Sequence, residues 1–136
     1  MADFHIAHKK TARNEGGYAN DPADRGGETW KGIARKFHPN WPGWKIIDEY
    51  KIYKDFKSRL ARDEHLDKLL LEFYRVEFWN RIRGDEIRHQ IVANSLYDSA
   101  VNMGVSQAIK LAQRALKVPD TGKMSVGLLN LLNNQS

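Results

Sequence analysis

One segment interrupts an otherwise helical pattern and limits the folds open to this 136-residue chain. Between Glu15 and Thr29 stand Gly16, Gly17, Gly26 and Gly27, one proline, and several Asp and Asn residues. Glycine tolerates tight turns, and Asp and Asn close turns with their own side chains, so no helix runs through such a stretch. Tyr18 to Thr29 is expected to form a turn-rich loop or a short β-hairpin. Before it, Asp3 caps a first helix that carries Phe4, Ala7, His8, Thr11 and Ala12 at helical spacing. Gly16 and Gly17 stop that helix after Glu15.

Beyond the segment the pattern returns to helix. Gly32 to Phe37 reads as a short helix ended before Pro39, and Asn40 to Trp44 as a loop. A long helical region runs from about Asp48 to Arg81, broken near Asp63. Ile87, Ile91, Val92, Leu96, Ala100 and Met103 step by three and four up to Gly104. Ser106 caps the next helix, with Ile109, Ala112 and Leu116 on one face. Val118 to Gly122 is a turn, and Ser125 to Leu132 a last apolar helix. The expected fold is mainly α, with a small loop or hairpin beside a cleft. A soft boundary near Arg83-Gly84-Asp85 divides residues 1–83 from 84–136.

Composition narrows the function classes. A hydrophobic content of 41% fills one core, which argues against disorder. The absence of cysteine removes disulfides and thiolate chemistry and leaves the compartment open. A net charge of +5 suits a polyanionic partner: nucleic acid, anionic lipid, or the bacterial wall with its peptide carboxylates. It equally suits a solvated basic surface, since acids and bases are interspersed, as from Lys51 to Lys68. A nucleic-acid binder wants arginines clustered on one recognition helix with base-stacking signals, and the sequence has none. Met1 to Lys10 carries an acid and a histidine and no long apolar run, so no signal peptide is expected there. No stretch approaches the length of a membrane span, so no stable membrane insertion is expected.

The chemistry concentrates in Glu15-Gly16-Gly17-Tyr18-Ala19-Asn20-Asp21-Pro22-Ala23-Asp24-Arg25-Gly26-Gly27-Glu28-Thr29. A helix ends on a carboxylate, a second carboxylate follows in a polar loop, and a hydroxyl follows that. Cleaving a glycosidic bond needs a proton for the leaving oxygen, and negative charge or an activated water on the other side of the sugar. Glu15 stands at the negative end of the helix dipole, which opposes its ionisation and suits a general acid. Asp24 can stay ionised as base or electrostatic partner, and Thr29 can position a water. The same residues also read as a surface Glu paired with Arg13 beside ordinary turn glycines.

The run Glu15-Gly16-Gly17-Tyr18, followed by Asn20-Asp21-Pro22, Asp24, Gly26-Gly27-Glu28-Thr29 and Gly32-Ile33, resembles the signature of glycoside hydrolase family 108. Those are lysozyme-like N-acetylmuramidases of phage endolysins and of bacterial proteins described as secretion activators. The resemblance implies that Glu15 is the catalytic acid. The order Glu15, Asp24, Thr29 with Gly32-Ile33 after it also resembles the wider phage-type lysozymes, and that likeness implies Asp24 as the second carboxylate and Thr29 as the water-positioning hydroxyl. The likeness continues through Phe73-Tyr74-Arg75, Phe78-Trp79 and Leu96-Tyr97-Asp98-Ser99-Ala100-Val101-Asn102-Met103-Gly104. Ala112 to Leu116 and Asp120 to Gly122 resemble the peptidoglycan-binding region that accompanies the motif. That region looks short beside many relatives. Trp30-Lys31 departs from the family's usual Asn and aromatic.

Other residues have two readings. Asp98 and Asn102, four apart on one helix, can meet a glycan or a neighbouring helix. Tyr18, with Asn20 beside it, is assigned to substrate. Tyr18, Trp30, Trp41, Trp44 and Trp79 can stack on sugars or fill the core. His5 and His8 have a metal-compatible spacing, but no cluster completes a site. The five histidines therefore read as surface residues, with no metal and no cofactor.

The resulting expectation is a monomeric peptidoglycan hydrolase that cleaves the β-1,4 bond between N-acetylmuramic acid and N-acetylglucosamine. It acts in the periplasm or cell wall, and a holin or another route exports it. The alternative is a non-catalytic peptidoglycan-binding module, in which the loop grips glycan without cleaving it.

Overall fold

The computed structural model describes residues 1–12, 16–23 and 25–134. The chain forms two compact units, Ala12–Phe73, and Met1–Thr11 with Tyr74–Ser136. The architecture is mainly α with one small antiparallel sheet.

In the Ala12–Phe73 unit, β1 (Tyr18–Asn20), β2 (Glu28–Trp30) and β3 (Ile33–Ala34) pair in the order β1-β2-β3. The hairpin anticipated between Tyr18 and Thr29 is thus present. The short helix expected over Gly32 to Phe37 is not. Lys31 (φ 44°) and Gly32 (φ 89°) put positive φ at both positions of a two-residue turn. That geometry folds Ile33-Ala34 back onto β2.

Helix α2 (Gly43–Tyr50) starts behind Pro42, earlier than the sequence pattern suggested, and takes in Trp44. Gly43 sits under the Trp41 ring, where an added Cβ would enter the ring. The chain leaves helix at 51–55 and returns as α3 (Phe56–Arg62). The break near Asp63 is present: Asp63 is extended, and its Oδ1 accepts the Leu66 amide at 2.7 Å to start α4 (Glu64–Tyr74). Trp30, Ile33, Trp41, Trp44, Ile47, Leu60, Leu66 and Leu70 make the core of this unit.

In the other unit, α1 (Phe4–Thr11) is capped by Asp3, whose Oδ1 accepts the His5 amide at 2.8 Å. It buries Phe4, Ala7, His8 and Thr11, the face that the spacing marks. A π-helical turn (Arg75–Trp79) follows α4, closed by the Asn80 amide on the Arg75 carbonyl at 2.7 Å. Then come a 3-10 turn (Gly84–Glu86), α5 (Gln90–Met103), α6 (Val105–Ala115) and α7 (Val126–Asn133). The packing is of α1 on α5 and α5 on α6.

The α5 face differs from the apolar stepping. Ile91 is 81% exposed and Met103 44%, while Ala93, Leu96, Tyr97 and Ala100 are buried. Two alanines let α1 approach closely, and the aromatic ring of Tyr97 fills the remaining space. Gly104 (φ 94°) ends α5 and caps α6, in place of Ser106. Ser125 caps α7 as expected, accepting the Leu128 amide at 3.1 Å. In the turn before α7, the buried Gln113 holds the Gly122 amide at 3.0 Å and the Thr121 hydroxyl at 3.0 Å.

Candidate active site

Glu15 and Asp24, the two carboxylates that the sequence singles out, lie outside the described residues. The hairpin between and beyond them is described. Its register sets Tyr18 opposite Trp30, Ala19 opposite Thr29 and Asn20 opposite Glu28. Strand side chains alternate between faces, and paired residues share one. Tyr18, Asn20, Glu28 and Trp30 therefore project to one face. Ala19, Thr29 and Ala34 project to the other. The sheet brings Tyr18 and Asn20 together and turns Thr29 away from both.

The first face is tied down by charge. Glu28 Oε2 accepts the Tyr18 phenol at 2.7 Å, and Oε1 accepts Arg35 Nη1 at 3.1 Å. Lys51 Nζ pairs with the same carboxylate. Arg35 reaches on to Asp48 of α2 with two bonds of 2.7 Å. Burial works against the Glu28 charge. The hydrogen bonds from Lys51, Tyr18 and Arg35 outweigh it and hold the carboxyl below the usual glutamate range. Burial likewise opposes the Lys51 charge, and Glu28 overcomes it, so the ammonium pKa is raised. Burial and the neighbouring Glu28 push the Tyr18 phenol up. The Arg35 guanidinium holds Asp48 down against a smaller effect of burial. At neutral pH the group is two carboxylates, two cations and a neutral phenol.

The second face is open. Thr29 is half-buried, and its hydroxyl makes no hydrogen bond among the described residues. Its backbone is held on both sides, by Ala19 and by Ala34. The side chain is fixed in direction and its hydroxyl is available to a water or a ligand.

In the unit of Met1–Thr11 with Tyr74–Ser136, Asp98 and Asn102 meet as the four-residue spacing implies. Asn102 Nδ2 donates to Asp98 Oδ2 at 3.2 Å and to its carbonyl at 2.9 Å. Asp98 Oδ1 accepts the buried Thr11 hydroxyl at 3.0 Å, which places the pair at the C-terminal end of α1. Asn102 is exposed.

The family model for glycosyl hydrolase 108 matches residues 8–104. The chain belongs to this family. The matched stretch contains Glu15, Asp24, Thr29, Asp98 and Asn102. The chain is also similar to the solved structure of SagA from Brucella abortus, with a TM-score of 0.65 and 25% identity over 98% of this chain and 70% of that one. None of the curated proteins matches the chain. A family 108 member is a glycoside hydrolase directed at peptidoglycan, and the mainly α fold is of the lysozyme type.

Within this family 108 chain the tryptophans take the core reading. Trp30, Trp41, Trp44 and Trp79 are all buried, and Trp41 and Trp44 anchor their indole N–H on the Leu69 and His38 carbonyls. Tyr18 is half-buried, its ring edge-on to Phe56 at 5.2 Å with Lys51 near its face. The reading of all five histidines as surface residues is corrected at His8. It lies in the core, with Nδ1 2.7 Å from the Tyr97 hydroxyl and its ring stacked on Phe4.

Glu28, Arg35, Asp48 and Lys51 were not singled out by the sequence. The basic partners of Glu28 lie 7 and 23 positions away from it, a spacing that carries no periodic signal. Only the position of Glu28 inside the Gly-Gly-Glu-Thr run hinted at it.

Proposed function

We propose that the chain is an N-acetylmuramidase that hydrolyses the β-1,4 bond between N-acetylmuramic acid and N-acetylglucosamine. Glu15 is the general acid, Asp24 the second carboxylate and Thr29 the water-positioning hydroxyl. The observation that carries this reading is the open face of the hairpin. Thr29 presents a hydroxyl with no partner among the described residues, on a backbone fixed from both sides. Glu15 precedes that hairpin in sequence, Asp24 falls between its first two strands, and all three residues lie within the matched stretch. A glycosidase needs a proton donor, an opposing negative charge and a held water, and these three residue types supply them.

Asn20, Asp98 and Asn102 are assigned to glycan recognition. Asp98 is bonded to Thr11, which stands four positions before Glu15 in the sequence. Tyr18 acts through the hairpin, since its hydroxyl and ring are already engaged. The enzyme works as a monomer.

Product analysis tests the bond. Purified peptidoglycan is digested and the new reducing ends are reduced with borohydride. N-acetylmuraminitol is expected. N-acetylglucosaminitol would overturn the bond assignment, and the absence of new reducing ends would leave a module that binds without cleaving.

A further inference from the structure

The hairpin is too small to hold its own orientation. Its strands have three, three and two residues, and an isolated hairpin of that size is marginal in water. Two devices fix it. Trp30 and Ile33 are buried in the core. Glu28 joins β1 through Tyr18, the residue after β3 through Arg35, and the turn after α2 through Lys51. The Glu28 side chain is only 12% exposed. Arg35 and Lys51 both continue to Asp48 of α2, at 2.7 and 3.4 Å. The carboxylate therefore ties every strand of the sheet to one helix.

Adjacent residues on a strand point to opposite faces, so whatever fixes residue 28 also fixes residue 29. A Glu28 drawn towards α2 turns Thr29 outward. The backbone adds a second tie at the same residue, where the Arg35 amide bonds the Glu28 carbonyl at 2.9 Å. The loop between β1 and β2, which carries Asp24, springs from Asn20 and Glu28.

We infer that Glu28 is a positioning residue of the hydrolase, whose charge-paired anchorage to Lys51, Arg35 and Tyr18 sets the direction of the Thr29 hydroxyl. This inference rests on the assignment of Thr29 to the reaction. Glu28 itself touches no reacting atom. It acts by keeping a polar group within the few tenths of an ångström that a held water requires.

The test is a rate cycle on the full chain with purified peptidoglycan, using Glu28→Gln, Thr29→Ala and the double variant. Gln has one acceptor oxygen, so it keeps its bond to Tyr18 or to Arg35 but not to both, and the loss of the charge leaves Lys51 with Asp48 alone. Glu28→Gln is expected to lower kcat by roughly tenfold or more with KM changed less than about twofold. Thr29→Ala added to Glu28→Gln is expected to cost little further, because the hydroxyl is already misplaced. Adding Lys51→Met to Glu28→Gln removes the half-buried cation that has lost its Glu28 partner and is expected to restore part of the rate. A rate loss that only follows the folded fraction, losses that multiply in the double variant, or full activity in Thr29→Ala would each overturn the inference. If Glu28→Gln does not fold, Lys51→Met alone carries the same kcat expectation at smaller amplitude. The identity of the acid is a separate question, because the cycle compares rates whichever residue donates the proton.

Discussion

The helical unit of Met1–Thr11 with Tyr74–Ser136 is held by rings, and the sheet in Ala12–Phe73 is held by charges. In the first, Phe4, His8, Trp79 and Tyr97 pack with centroids 5.5 to 6.0 Å apart, and Trp79 and Tyr97 are fully buried. Such packing gains free energy from removing large apolar surface from water. In the second, only Trp30 and Ile33 of the eight strand residues are buried, and the rest of the anchorage comes from Glu28, Arg35, Asp48 and Lys51. The lesson is a division of labour. Rings supply stability, and a short sheet that must aim one side chain is aimed by charges.

Removing a ring should have the largest effect. Trp79→Ala empties the centre of the aromatic cluster and releases Asp85 Oδ1 from its 2.8 Å bond to the indole. A loss of about 3–5 kcal/mol is expected in urea unfolding. A loss below about 1 kcal/mol would break the contrast between the two regions.

Tyr97→Phe is the finer probe of the same cluster. It keeps the ring and removes the hydroxyl that meets His8 Nδ1. About 1 kcal/mol should be lost. A loss as large as that of Trp79→Ala would mean that polar contacts hold this unit too.

The charged region should instead show an acid limb. The folded-state pKa of Glu28 lies below its unfolded value, so the unfolded chain binds more protons in between. Its stabilisation is complete above the ordinary glutamate pKa and disappears as pH falls through the folded value. Screening limits the effect to about 1 kcal/mol. Amide exchange at Trp30 and Ile33, followed from neutral pH downward, should quicken in that window. Glu28→Gln should shrink the limb and leave the part due to Asp48, whose pKa is also lowered. An unchanged limb would show that Glu28 does not hold the sheet.

The smallest effect is expected at an exposed pair. Arg114 Nε lies 2.8 Å from Asp120 Oδ2 on the surface, and water and salt screen it. Arg114→Gln should leave Tm unchanged within error. The turn there is held by the buried Gln113.

How much of this was legible follows from the same contrast. Local signals were readable: the Asp3 cap, the Phe4-Ala7-His8-Thr11 face, the hairpin, the Asp63 break and the Ser125 cap. Each depends on residues a few positions apart. Strand β3 was misread as helix because Lys31, a residue with no preference for positive φ, takes it in the turn. The α5 face was misread because hydrophobicity marked Ile91 and Met103, whereas the buried stripe uses small alanines and Tyr97. The Glu28 network joins β1, β2 and α2 with the residues just after β3 and α2, and no spacing in a sequence encodes that. Glu15 and Asp24 were legible as chemistry and as family motif, while their geometry lies outside the described residues.

The assignment of Glu15 is tested most directly by Glu15→Gln, assayed as reducing ends released from purified peptidoglycan. An amide cannot donate the proton that the leaving oxygen needs. The account predicts a loss of about a hundredfold or more, with Tm and retention on insoluble peptidoglycan unchanged. A Glu15→Gln protein that releases reducing ends at close to the wild-type rate would contradict it.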